Sequence, residues 1–328
     1  MVVVLALTAM ETQVLQLLQA TTVPDTNTIR RAEQSLADLH RQHEYPSALL
    51  NITTHSEIDA GSRKAALTAL RKYINSTWSP TFEEASSEQV SLPEDTRKQI
   101  RSQTLAICTS PDSSNDINQN LAGKCALGNE SVGIPHDEVL VWLSKLTTSI
   151  ASVVSKIASA DFPDQWPELF PQLISVLKTS PSDAAVQGSL RVLYELVDSG
   201  LSDEQFFQVA RELVAALQHV TINTNHNTVV QAMALKVLGA CFDNLEQVLA
   251  TEFAPAVKAF LNETMPSWMS FFINTLKLPL PEVSGADFEN ANNVIHKWKG
   301  VVALKIQVLQ VSQSHQAYED VGETYKGE

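Results

Sequence analysis

Cysteine is nearly absent from this chain. Its 328 residues include three, Cys108, Cys125 and Cys241, and no two of them form a C-x-x-C. Such spacing excludes a disulfide framework and points to a reducing compartment. Glycine is sparse too, 11 residues in all, and no stretch sustains the period-two alternation of a half-buried strand. No sheet is expected. Cations are in short supply: 23 Lys and Arg stand against 37 Asp and Glu, for a net charge of −14. That balance argues against direct nucleic-acid binding, which needs cations against phosphates, and favours basic protein partners. No apolar run approaches the roughly 20 residues of a membrane span, so no membrane insertion is expected. The opening MVVVLALTA is apolar, but no Lys or Arg precedes Arg30, which makes it a poor secretory signal.

Catalytic signatures are missing as well. There is no G-x-x-x-x-G-K-[ST], no H-E-x-x-H and no G-x-S-x-G, so neither an enzymatic activity nor a cofactor or metal is expected. His40 and His43 lie about one helical turn apart, with no third ligand evidently placed, and read as solvated surface. Cys241, in VLGACFDNL, reads as a small core residue. Trp268 and Trp298 read as core positions of helices. Four N-x-[ST] triplets, at Asn51, Asn75, Asn129 and Asn262, are too short a signal to imply glycosylation.

What the chain has in quantity is helical periodicity, and it comes in pairs. VPDTNTIRRAEQSLADLH starts with Pro24-Asp25-Thr26, helix-start chemistry, and carries Ile29, Ala32, Leu36 and Leu39 on one face. YPSALLNITTHS places Pro46 in a first turn and is followed by SRKAALTALRKYINSTW. PELFPQLISVLKTS pairs with SDAAVQGSLRVLYELVDSG, and SDEQFFQVARELVAALQHV with HNTVVQAMALKVLGACFDNLEQVL. FAPAVKAFLNETMPSWMSFFINTLKL pairs with HKWKGVVALKIQVLQ. A recurrence of roughly 40 residues is the helix–turn–helix period of HEAT or armadillo arrays. One such pair cannot bury its apolar stripe alone, but stacked neighbours can. The expected fold is therefore all-α, a HEAT-repeat superhelix of about six pairs.

Residues 160–173, ADFPDQWPELFPQL, place three prolines directly after aromatics. Proline suits a first helical turn, where its missing N–H would be unpaired anyway. Pro163 is expected to end one segment, Pro167 to open the next helix and Pro171 to bend it. Phe162, Trp166, Pro167 and Phe170 then form a structural joint between repeats. Two regions break the rhythm. Residues 111–147 are rich in Asn, Ser and Gly, with one short candidate helix at DEVLVWLSKL, where array connections usually take about 2–8 residues. They read as an irregular, poorly ordered insert, either genuine or translated intron sequence. Residues 312–328 read as a disordered tail. The array accordingly spans 10–110, two pairs and the first helix of a third, and then 148–311.

One cluster stands out against the acidic background: Arg63, Lys64, Arg71 and Lys72 on the second helix of the second pair, with Arg30 and Arg31 on the corresponding helix of the first. Arg63 and Lys64 sit about two turns from Arg71 and Lys72, so the four can share a face. The cluster is either a solvated face or a contact for an acidic partner.

RRAEQSLADL, ALLNI, RKAALTALRKYINSTW and DFPDQWPELFPQL, in that order, resemble the N-terminal region of the importin-β (karyopherin-β) nuclear transport receptors. Gln165–Leu173, QWPELFPQL, is the most specific block, and the stretch from Asp161 to Ser199 is most similar to the importin-nine branch. The resemblance covers about 10–110 and 147–311, roughly the first six of some twenty repeats in a full receptor. It implies a receptor that shuttles between cytoplasm and nucleus through nuclear pores and binds the GTP form of the GTPase Ran through its inner helices. Arg30, Arg31, Arg63, Lys64, Arg71 and Lys72 are then candidate Ran contacts. It further implies contact with nucleoporins and basic protein cargo such as core histone dimers. A HEAT scaffold subunit without Ran regulation is the alternative that the periodicity alone leaves open.

Overall fold

The computed structural model of the protein describes residues 7–55, 57–85, 92–109, 136–222, 226–248, 253–280, 282, 298 and 300–312; of the side chains at 136–147, 199 and 248 nothing is stated. All regular structure among these residues is helical. The chain divides into two compact units, 1–160 and 161–328.

The first unit holds α1 (Ala9–Ala20), α2 (Thr26–Leu39), α3 (Tyr45–Thr54), α4 (Ala60–Thr77), α5 (Glu94–Thr109) and α6 (His136–Asp161, whose last residue starts the second unit). Helix α1 packs on α2 and α3, α3 on α4 and α5, so the first helices of successive pairs form one layer. Thr8 and Glu11 close a reciprocal capping box at the start of α1. The Glu11 carboxylate also accepts from Asn51 Nδ2 at 2.7 Å. It thereby joins the N-terminus of α1 to α3, 40 residues on.

The second unit holds α7 (Leu169–Thr179), α8 (Asp183–Glu195, continued by a π-turn at Leu196–Gly200), α9 (Asp203–Ile222), α10 (Thr228–Val248), α11 (Ala254–Lys277) and α12 (300–312). Helix α7 packs on α8 and α9, and α10 on α8 and α9. The contacts fix a parallel register between corresponding helices. Asp183 of α8 meets His226 and Asn227 at the start of α10, and Asn244 near its end donates to Val197 O at 2.6 Å. These pairs are 43, 44 and 47 residues apart, the period expected from the sequence. Gly300 and Val311 of α12 touch Thr228 and Gly239 of α10. Both pairs are 72 residues apart, a wider interval than the 43 to 47 between α8 and α10.

Three expectations are corrected here. The segment read as an irregular insert over 111–147 is helical from His136, because nothing between DEVLVWLSKL and SIASVVSKIAS breaks a helix; residues 111–135 lie outside the described residues, as do 313–328 of the expected tail. Helix α7 opens at Leu169, so Pro171 rather than Pro167 occupies the first turn, where its lack of an N–H costs nothing. Trp298 is 39% exposed, whereas Trp268 is buried at 1%.

The aromatic joint itself is core. Phe162, Trp166 and Phe170 are buried, Pro167 is exposed, and the rings of Phe162 and Phe170 stand 5.0 Å apart. Gln205 of α9 donates through Nε2 to Phe162 O, tying the stretch to the next pair.

Candidate protein-docking face

Helix α4 is capped by Asp59, whose carboxylate accepts from Ser62 N at 2.9 Å. Hydrogen bonds from the Ser62 hydroxyl and N–H hold that carboxyl below its usual range. Asp25 caps α2 in the same manner, its pKa lowered by the Thr28 hydroxyl first and then by the Thr28 and Asn27 N–H groups. Ala66, Leu67, Leu70, Tyr73, Ile74 and Thr77 form the buried side of α4. The opposite side carries Lys64, Thr68, Arg71 and Lys72, all exposed. No acidic residue occurs anywhere in α4.

Arg63 does not belong to this face. Its side chain is buried at 3% exposure, and Nε donates to Thr53 O at 3.0 Å. Burial lowers its pKa to about 10. The guanidinium serves a carbonyl at the C-terminal end of α3, which the helix itself leaves without a partner. Arg97 of α5 plays a related part for α4, donating to Trp78 O at 2.8 Å with its guanidinium 4.8 Å over the Trp78 ring.

Arg30 and Arg31 are exposed on α2. The level at which α2 and α4 meet is set by His40, whose Nε2 lies 3.5 Å from Ser76 Oγ and 3.4 Å from Thr77 Oγ1. That offset of 36 to 37 residues places Arg30 and Arg31 level with residues 66–68, between Lys64 and Arg71. Five of the six candidate cations therefore lie on the exposed sides of two neighbouring helices. Glu33 and Asp38 share the exposed side of α2, so α4 is the purely cationic member.

His40 is not the solvated residue expected from sequence. Its ring sits 4.6 Å from Tyr73 and 5.9 Å from Tyr45. Burial, and secondarily the charge of Lys72, lower its pKa. His43 is exposed, and among the described residues no group of His, Cys, Asp or Glu is arranged to hold a metal ion. Cys241 is buried, its thiol pushed up by that burial and by Asp243. No described helix is long and apolar enough to cross a membrane.

Comparison with known proteins gives a consistent result. A family model described as the importin-beta N-terminal domain matches residues 32–110, and one described as exportin 1-like protein matches 144–270. The unmatched interval between them coincides with the break in the repeat rhythm. Importin subunit beta-5 of Schizosaccharomyces pombe is 28% identical over 273 residues, 82% of this chain and 24% of that protein. Importin subunit beta-5 of Saccharomyces cerevisiae is 30% identical over 198 residues, 59% of this chain and 16% of that protein. Importin-11 of Homo sapiens is 28% identical over 172 residues, 52% and 14% respectively. The chain thus spans a quarter or less of the length of these relatives. A crystal structure of importin beta superposes with a TM-score of 0.54 at 15% identity, covering 93% of this chain and 30% of that one. The likeness establishes the fold as a HEAT-type α-solenoid.

Proposed function

The chain belongs to the importin-β family, and on that premise we propose that it is the N-terminal part of a nuclear transport receptor regulated by Ran. Members of the family in general bind Ran-GTP, cargo and nucleoporins. The observation that carries the reading is α4: an exposed helix side with Lys64, Arg71 and Lys72 and no acid, in a chain of net charge −14. Such a local reversal of sign steers and orients an acidic partner. Arg30 and Arg31 extend it onto α2.

The acidic remainder suits a basic cargo, and the similarity to the importin-nine branch makes core histone dimers the cargo we propose. Ran-GTP and cargo would oppose one another as coupled ligands, each lowering the affinity for the other by the same factor. The receptor would shuttle between cytoplasm and nucleus, engaging nucleoporins at the pore. The test is capture of the immobilised chain's partner from purified Ran loaded with GTP or GDP. Selective retention of the GTP form supports the reading; equal retention, or none with the complete polypeptide, leaves a scaffold without Ran regulation.

A further inference from the structure

Along α4 the exposed cations run toward a histidine. Ser76 stands one turn beyond Lys72, and the hydroxyl oxygens of Ser76 and Thr77 lie 3.5 and 3.4 Å from Nε2 of His40. The imidazole is half-buried, held against the rings of Tyr45 and Tyr73. Among the described residues no carboxylate pairs with Arg30, Arg31, Lys64, Arg71 or Lys72, although the chain carries 37 Asp and Glu. The ring therefore stands at the end of a face whose cations lack counter-ions.

The edge that meets Nε2 is suited to an N–H. The Ser76 hydroxyl has one proton, and it is directed at backbone carbonyls, Lys72 O at 2.9 Å and Tyr73 O at 3.3 Å. An oxygen with its proton committed there offers Nε2 only lone pairs, and imidazolium always presents an N–H at that atom. Against the charge stand burial of the ring and the ammonium of Lys72. The other groups around it are accounted for. Tyr45 of α3 and Tyr73 of α4 stay neutral phenols, and Arg97 of α5 acts on Tyr73. Asp38, Arg41, His43 and Glu44 flank the residue in the chain, but Lys72 is the charge that acts on the ring. A carboxylate that paired with Lys72 would cancel that opposition and add an attraction of its own.

We propose that docking on the α2–α4 face is proton-linked through His40: an acidic protein surface that pairs with Lys72 draws a proton onto the imidazole as it binds, and so binds more tightly in mildly acid than in neutral solution. The inference rests on the reading of α4 as a docking face and supplies its regulation. By linkage the effect is reciprocal: the factor by which the partner raises proton affinity is the factor by which the proton raises partner affinity. The sign follows from a proton affinity higher in the complex than in the free protein. The gain is complete below the free midpoint of His40 and absent above its midpoint in the complex. A rise of about half a pKa unit corresponds to about three-fold in affinity.

The probe is a decaglutamate peptide with blocked ends, whose carboxyls remain ionised near pH 6, so that the titration observed belongs to the protein. NMR follows the His40 imidazole with and without saturating peptide at low salt, and calorimetry gives the affinity at about pH 5.5 and about pH 8. We expect the midpoint to rise by about half a unit or more and the affinity to be about three-fold higher at the lower pH. His40→Gln should flatten the pH dependence; melting at about pH 8, where the native ring is neutral, checks that the variant folds. Lys72→Met, which keeps the imidazole, should shrink the rise in midpoint, and His43→Gln should leave it unchanged. Binding with an unmoved His40 midpoint, or a pH dependence that survives in both His40→Gln and Lys72→Met, would overturn the inference and leave the docking face standing. A peptide that does not bind, or that binds equally well after Arg71→Glu with Lys72→Glu, would defeat the docking face and this inference together.

Discussion

The imidazole of His40 and the ring of Tyr73 lie 4.6 Å apart between centroids, tilted by 50°. Through them the C-terminal end of α2 rests on α4, beside Tyr45 and one turn from Lys72. Burial comes first in lowering the His40 pKa, and Lys72 second. The folded state thus prefers the neutral ring. Stability from this group is complete above the unfolded His value of about 6.5 and declines as pH falls below it. NMR titration should find His40 titrating below that value, and Lys72→Met should move it up part of the way. An unchanged midpoint in Lys72→Met would remove Lys72 from its surroundings.

Tyr45 and Tyr73 give the alkaline counterpart. Burial raises each phenol to about 12. Their folded pKa values exceed the unfolded value, so their contribution is intact below about pH 10 and is lost between about 10 and 12. Denaturant melts should show the wild-type protein weakening across that window, and Tyr45→Phe weakening less.

Arg63 and Arg71 should separate stability from binding. Arg63→Ala leaves Thr53 O and a buried void behind, at a cost of about 1–3 kcal/mol. Arg71→Ala removes an exposed charge and should change stability by under about 0.5 kcal/mol. Chemical denaturation of the two variants decides this. Equal effects would contradict the burial of one and the exposure of the other.

Trp166→Ala should cost about 3–5 kcal/mol, since the indole is 5% exposed within the aromatic joint. A loss below about 1 kcal/mol would return the stretch to the surface. Gly300→Ala should also destabilise, because a Cβ there would stand 2.1 Å from Thr228 Oγ1; overpacking of this kind costs about 1–3 kcal/mol. Thr228→Ala in the same chain should recover part of the loss, which a double-mutant cycle measures.

The pairing of helices was legible in the sequence because apolar periodicity agrees with a capping side chain or a first-turn proline at most helix starts, such as Thr8, Asp25, Pro46, Asp59 and Ser182. Arg63 was misread although its signal was present: it stands three, four and seven residues before Ala66, Leu67 and Leu70, on their buried side. Charge outweighed position in the reading, and the carbonyl it serves is ten residues away on α3, visible only once the helices are packed. Thr8 and Glu11 form the T-x-x-E of a capping box, yet the apolar run before them drew attention from it. The continuity of α6 was hidden by the composition of the residues preceding it. For the docking face, sequence could show only that α4 lacks acids; that α2 lies level with it follows from His40 meeting Ser76 and Thr77.

The central claim is tested most directly by titration calorimetry of the chain with Ran in its GTP and GDP forms, at low and high salt. The account predicts tighter binding of the GTP form, weakened by Arg71→Glu with Lys72→Glu, with the difference shrinking at high salt as screening removes the attraction. Equal affinity for the two nucleotide forms, or an undiminished affinity in the charge-reversed variant, would contradict it.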